Sequence, residues 1–218
     1  MITRRRITCL ILSALLISSC AVLNSANQQQ RNVRVKVLAD VSFRARNPDW
    51  REEARGLIES ASDYYEREFD IRFVTQNVFA WPEKDRVRST PELLARVKKE
   101  FGADSTDDYD LIVTFSAEGI SRVLAAGRPR VDRIGNCSQG LARYAVVPIA
   151  KIFHYQGGNS EPEFDILALI HELAHVFGAE HVEDTNSIMH EEFGYRTEFD
   201  AKNRAVIQKN RPCAFARK

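Results

Sequence analysis

The 218-residue chain has no apolar run long enough to cross a bilayer: its most apolar stretch, Ile7 to Ile17, covers about eleven residues where a spanning helix needs about 20. It has no charge excess either. Thirty-one Lys and Arg stand against 30 Asp and Glu, a net charge of +1, which excludes the basic footprint that nucleic-acid binding requires. Internal repeats are missing, which excludes solenoids and arrays. Cysteines number only four. Two of them, Cys9 and Cys20, fall in or beside the N-terminal apolar stretch, so the body of the chain holds a single pair, Cys137 and Cys213.

What is present begins with a targeting segment. Arg4, Arg5 and Arg6 form a basic start ahead of the apolar run, too short for a membrane helix and right for a signal peptide over residues 1–19. Ile17-Ser18-Ser19-Cys20 resembles a bacterial lipobox, in which Cys20 becomes the lipidated first residue of the mature protein. That reading puts the protein in the bacterial cell envelope, periplasm-facing or at the surface, with membrane contact through the lipid alone. An ordinary secretory signal and an uncleaved anchor are its alternatives. Residues 20–32 are polar, small and rich in Asn and Gln, and read as a flexible tether. Without residues 1–19 the chain keeps 199 residues, with 28 basic against 30 acidic side chains after the loss of three arginines. That length suits one domain over 33–218 with a proper core.

The chemistry is concentrated in His171-Glu172-Leu173-Ala174-His175-Val176-Phe177-Gly178-Ala179-Glu180-His181. On a helix, His171 and His175 share a face about 6 Å apart along the axis and can grip one ion. Gly178 lets the chain leave the helix through a left-handed turn, bringing back His181 as a third nitrogen. Three imidazoles leave one position of a tetrahedral zinc open, as in a catalytic site, and Glu172 is placed to hold a bound water rather than the ion. At average residue frequencies the full H-E-x-x-H-x-x-G-x-x-H pattern arises by chance in such a chain with odds on the order of 10⁻⁵.

This stretch resembles the zinc signature of the metzincin metallopeptidases, whose second mark is a methionine turn. Ser187-Ile188-Met189-His190 supplies that turn, and the resemblance makes Met189 a hydrophobic floor under the three histidines. It implies a zinc-dependent metalloendopeptidase with one catalytic ion, acting on peptide or protein substrates as a monomer. It leaves the subfamily open between adamalysin/reprolysin-like and matrixin-like, since Val182 follows the third histidine where many subfamilies carry an acidic residue or serine. Glu191 stands where astacin-like and serralysin-like enzymes place an extra tyrosine ligand, so no such ligand is expected; Tyr195 is an unsupported candidate for the cleft. Cys137 and Cys213 match an adamalysin-like pairing of a cysteine near the edge strand with one near the C-terminus. In an exported protein one pair is most simply a disulfide; two free thiols, or a thiol that blocks the zinc, are the other readings. The chain between Cys20 and the first strand is too short for an inhibitory propeptide domain. A zinc-stabilised binding lipoprotein without chemistry, and an aminopeptidase of the wider zincin group, stand as rival functions.

The resemblance implies an α+β fold: a twisted mixed sheet with two long helices and the zinc helix in an N-lobe (33–181), then a small C-lobe (182–213) with the methionine turn and a terminal helix. Residue patterns give a strand over Val33 to Phe43, a helix over Asp49 to Phe69 and a strand over Ile71 to Trp81. A helix follows over Pro91 to Phe101 with Thr90 as its cap, then a buried strand over Asp110 to Phe115. Asp104 to Asp110 reads as a solvated turn. Arg130 to Cys137 is the placement for an antiparallel edge strand, its arginines serving acidic substrates or merely solvated. Leu141 to Ile152 is a further strand, Ser160 to Glu163 a capping box for the zinc helix, and Glu198 to Lys209 the terminal helix. His154 and His190 are not expected to be ligands.

Overall fold

A computed structural model describes residues 30–46, 48–82, 89–102, 108–117, 129–149, 164–192 and 196–217. The signal, residues 20–29 of the tether, His154, the capping box at Ser160 and Tyr195 lie outside them; Arg31 and Asn32, expected in the tether, open the first strand instead.

Valines at alternate positions make β1 (Arg31–Ala39), burying Val33, Val35 and Val37 on one face. The run stops four residues short of the expected end because Asp40 turns the chain: its carboxylate accepts the Phe43 N–H at 2.7 Å and caps a short helix, α1 (Val41–Arg44). Helix α2 (Trp50–Phe69) follows as its apolar spacing demands, then β2 (Ile71–Ala80). In α3 (Thr90–Phe101) the cap is Ser89 rather than Thr90, its hydroxyl accepting the Glu92 N–H. Strand β3 (Leu111–Ser116) is buried along its whole length, as is β4 (Tyr144–Pro148). The zinc-motif helix is α4 (Phe164–Val176), and α5 (Ala201–Asn210), capped by Asp200, ends the fold.

The four strands are all parallel, in the order β2-β1-β3-β4. Among the described residues, the expected mixed character of the sheet shows as the antiparallel bridge from Val131 to Ala145, flanking β4. The edge segment is therefore much shorter than Arg130 to Cys137. Glycine at 135 explains the departure: its N–H donates to the His175 carbonyl at 3.0 Å, and a Cβ there would strike the Val176 carbonyl. The chain leaves the sheet to cap the end of α4.

Two apolar clusters sandwich the sheet. Val33, Val35, Val37, Leu111, Val113, Phe115, Ala145 and Val147 face α2 and α4; Leu38, Ile112, Tyr144 and Val146 face Leu93 and Val97 of α3. Covered on both faces, β3 and β4 need the continuous apolar sequence they show. Tyr65 locks α2 to α4, donating its buried hydroxyl to the Ile170 carbonyl at 2.8 Å while its ring packs on Phe69, Phe73, Phe177 and Phe199. Asp110, expected in a solvated turn, instead pairs with Arg34 at 2.9 Å. Burial would raise its carboxyl pKa, but the Arg34 hydrogen bonds and charge outweigh it and hold the value low.

Cys137 and Cys213 form a disulfide, with Cα atoms 5.0 Å apart, which sets aside the free-thiol and zinc-blocking readings. It fastens the C-terminal tail beside Leu141, whose N–H donates to the Ala214 carbonyl at 2.9 Å. The bond closes a 76-residue separation, for which loop-entropy arguments give an upper value of about 4.5 kcal/mol. Reduction should therefore lower unfolding stability by roughly 2–4 kcal/mol, read as a fall in urea midpoint with and without a phosphine reductant. An unchanged midpoint would show that the tail is held by its backbone bonds alone.

Candidate metal centre

Helix α4 carries His171 and His175 one turn apart, both buried along with Glu172 between them in sequence. Polar side chains in so apolar a helix are costly unless each finds a partner. His171 Nδ1–H donates to the Ile188 carbonyl and His175 Nδ1–H to the Ala179 carbonyl, each at 2.7 Å. Those bonds fix the tautomer, leaving both Nε2 lone pairs unprotonated and turned towards one point.

The helix ends in a Schellman motif. The Ala179 N–H reaches back to the Ala174 carbonyl and the Gly178 N–H to the His175 carbonyl, at 3.0 and 3.1 Å, with Gly178 at φ +96°. Gly178 also lies so close to the Gly135 carbonyl and the Asn210 amide that no Cβ fits. The reversal returns His181 to the other two. Its Nε2 stands 3.1 Å from that of His171 and 3.2 Å from that of His175, and the latter pair is also 3.2 Å apart.

Helix α5 holds this turn from behind. Asn203 brackets Glu180, accepting its N–H at 3.0 Å and donating to its carbonyl at 2.9 Å. Asn210 donates to the Phe177 carbonyl at 2.9 Å. Met189 is fully buried in the core, and its carbonyl accepts the N–H of Val182, the residue after His181. Ser187 joins the methionine turn to α5: its hydroxyl donates to Asp200 and accepts the Met189 N–H. His190 faces outward, its Nδ1 accepting the Glu192 N–H at 3.1 Å.

The donor set fits a metal. Zinc bonded tetrahedrally to imidazoles at 2.0–2.1 Å requires nitrogens about 3.3 Å apart, close to the three separations found. Lone pairs facing one another at this range repel unless a cation lies between them. Burial depresses the pKa of His171 and of His175 to about 3, so both are neutral and ready to coordinate at neutral pH. Among the described residues these three histidines are the one group of ligating side chains close enough to share an ion.

Sequence reasoning placed all three histidines, Glu172 and Met189, and the structure brings the histidines together. It missed Arg130. This side chain is neither solvated nor free for substrate: it is buried against Glu172, with Nη1 2.7 Å from Oε1, and its own backbone N–H donates to Oε2 at 2.9 Å. Nothing in a linear reading links positions 42 residues apart. Arg133 pairs instead with Asp132.

A parallel sheet backed by a helix that delivers two of three converging imidazoles belongs to the metzincin-like zinc peptidases. Within that class, residues 29–214 match the model of Metallo-peptidase family M12, a reprolysin model, and the chain belongs to that family. Among solved structures it is similar to archaemetzincin from Methanopyrus kandleri, at 19% identity and a TM-score of 0.52, covering 85% of this chain and 98% of that one. At that identity the likeness concerns the fold. No curated protein matches the chain.

Two outcomes follow from this geometry. Gly178→Ala should cost at least about 1–2 kcal/mol through its positive φ and the collision of its Cβ, and should weaken zinc retention measured against a chelator. A variant matching wild type in both would show that the turn is not what delivers His181. In metal-free protein the unfolded chain takes up protons at His171 and His175 below about pH 6.5, while the folded chain does so only near pH 3. Stability is then lost as pH falls from about 6.5, by on the order of 2 kcal/mol per imidazole at pH 5. Urea midpoints from pH 7.5 to 5 should show this slope, and it should flatten in His171→Asn/His175→Asn.

Proposed function

We propose that this member of the M12 family is a zinc-dependent endopeptidase held to the bacterial envelope by a lipid on Cys20. The observation that carries the catalytic part is the convergence of three imidazoles, two of them buried and neutral, with a carboxylate adjacent in sequence to one of them. His171, His175 and His181 would hold the ion through Nε2, and zinc bound there would supply a water of lowered pKa and polarise a peptide carbonyl.

Everything else falls to side chains of the chain. Glu172 orients the water and accepts its proton on a carboxylate oxygen as the water attacks, then passes that proton to the leaving amine nitrogen. The Ile188 and Ala179 carbonyls keep the two helix imidazoles in their metal-binding tautomer throughout. Met189 and the surrounding core exclude water from beneath the cluster. The envelope part of the reading rests on the basic start, the short apolar run and Ile17-Ser18-Ser19-Cys20; among the described residues no helix is long and apolar enough to cross a membrane.

Glu172→Ala and His175→Ala separate binding from chemistry. The first should retain one zinc per chain and lose at least about 100-fold in kcat on a peptide library. The second should lose the metal as well. Mass spectrometry of the digest decides the class: internal cuts by wild type alone support an endopeptidase, trimming of single terminal residues points to an exopeptidase, and no cuts leave a zinc-stabilised binding protein.

A further inference from the structure

The carboxylate beside His171 is not held by its own helix. Arg130 comes from the segment that pairs with β4: its carbonyl accepts the Val146 N–H at 2.9 Å, Val131 bridges Ala145, and Asp132 donates to the Tyr144 carbonyl at 3.1 Å. The Asp132 carboxylate accepts two more backbone N–H groups, from Arg143 and Tyr144. The donor is thus anchored to the sheet, and from there it takes both oxygens of Glu172, Oε1 through the guanidinium and Oε2 through the backbone. Side-chain exposure is 9% for Arg130 and 1% for Glu172.

A glutamate leaves its helix through three rotatable bonds, and one hydrogen bond on one oxygen would still allow the carboxylate to turn. Bonds to both oxygens from a fixed segment remove that freedom. Stability alone is a poor account of the pair, since apolar side chains of equal volume commonly do as well in a core. A proton acceptor has a stricter need: misplacement by about 1 Å can cost on the order of 100-fold in rate.

We propose that Arg130 is a positioning residue for Glu172, setting from the sheet edge where the carboxylate stands beside the three imidazoles. Its effect on rate rests on the peptidase reading above; the hold itself does not. The test uses the zinc-loaded full chain, with Arg130→Met, Arg130→Lys, Glu172→Gln and the Arg130→Met/Glu172→Gln pair. Zinc affinity of Arg130→Met, by chelator competition, should stay within about threefold of wild type, since no metal ligand is touched. On a cleaved peptide its kcat should fall at least about 100-fold with KM within about threefold. Arg130→Lys, which keeps a donor, should recover about tenfold over Arg130→Met.

The second readout needs no turnover. Acetohydroxamate chelates zinc and donates a hydrogen bond to a neighbouring carboxylate, so calorimetry should show Arg130→Met and Glu172→Gln each weakening it by at least about fivefold. The pair should weaken it no more than the worse single variant, because both changes remove one interaction. The proposal is overturned by a kcat within threefold of wild type in Arg130→Met, by no recovery in Arg130→Lys, or by hydroxamate losses that multiply in the pair. If wild type cleaves no peptide, the function reading fails and the calorimetric cycle still decides this one. If Arg130→Met does not fold, Arg130→Lys carries the comparison: an unchanged kcat there overturns the proposal, and a roughly tenfold fall with unchanged KM supports it.

Discussion

Three imidazole nitrogens with unshared pairs, each within 3.2 Å of the other two, are the arrangement on which the rest of this structure turns. Left to themselves such groups would move apart or take up protons. For His171 and His175 neither is open, because burial disfavours the charged ring and carbonyls at Ile188 and Ala179 claim the Nδ1 protons. The repulsion that remains has one good remedy, a cation at the centre. A binding site of this kind is made by constraint: the fold places the donors at a separation that only the ion makes comfortable.

The constraint explains why so much of the C-terminal portion is polar inside. Helix α5 buries one apolar residue, Ile207, yet also buries Asn203 and Asn210. An asparagine amide can both donate and accept, and Asn203 does both to the backbone of Glu180, one residue from His181. Asn210, Gly135 and Ala142 supply donors to carbonyls at and beyond the end of α4 that the helix itself leaves unsatisfied. Ser187 and Asp200 couple the methionine turn to the same helix. A hydrophobic contact could slide by an ångström at little cost; these bonds cannot. The disulfide closes the same neighbourhood, tying the segment that contains Gly135 to the tail that follows α5.

Which of this was legible in the sequence follows from how local each signal is. The histidine spacing, Gly178 and the valine alternation of β1 are patterns within a few residues, governed by helix and strand periods, and they read directly. The buried strand at 111–116 read correctly because a strand covered on both faces must be apolar throughout. The end of β1 was misplaced because Asp40 acts through a cap, which outweighs the β preference of Val41. Arg130 to Cys137 was read as a full strand because the need to cap α4 from Gly135 is a tertiary demand with no local mark. The pairing of Arg130 with Glu172 lies deeper still: a basic residue in a glycine- and proline-punctuated segment looks solvated until the sheet edge is placed over the helix.

Charge balance links that pair to the metal cluster. The buried part of the centre holds one cation, Arg130, one anion, Glu172, and the two imidazoles of His171 and His175 that burial keeps neutral, so these four groups carry no net charge and are tolerated in a medium of low permittivity. A divalent ion at the three nitrogens raises the sum to two positive charges, one more than the same triad would carry beside a lone carboxylate. Buried positive charge of that size favours ligands on which negative charge gathers, and disfavours neutral ones that cannot accept it. On the peptidase reading proposed above, negative charge gathers on the peptide carbonyl oxygen as the bond is attacked and is absent before, so the excess would act chiefly on the transition state. The arginine that fixes where the carboxylate stands also keeps its charge from cancelling the metal's, and the two effects come from one buried guanidinium.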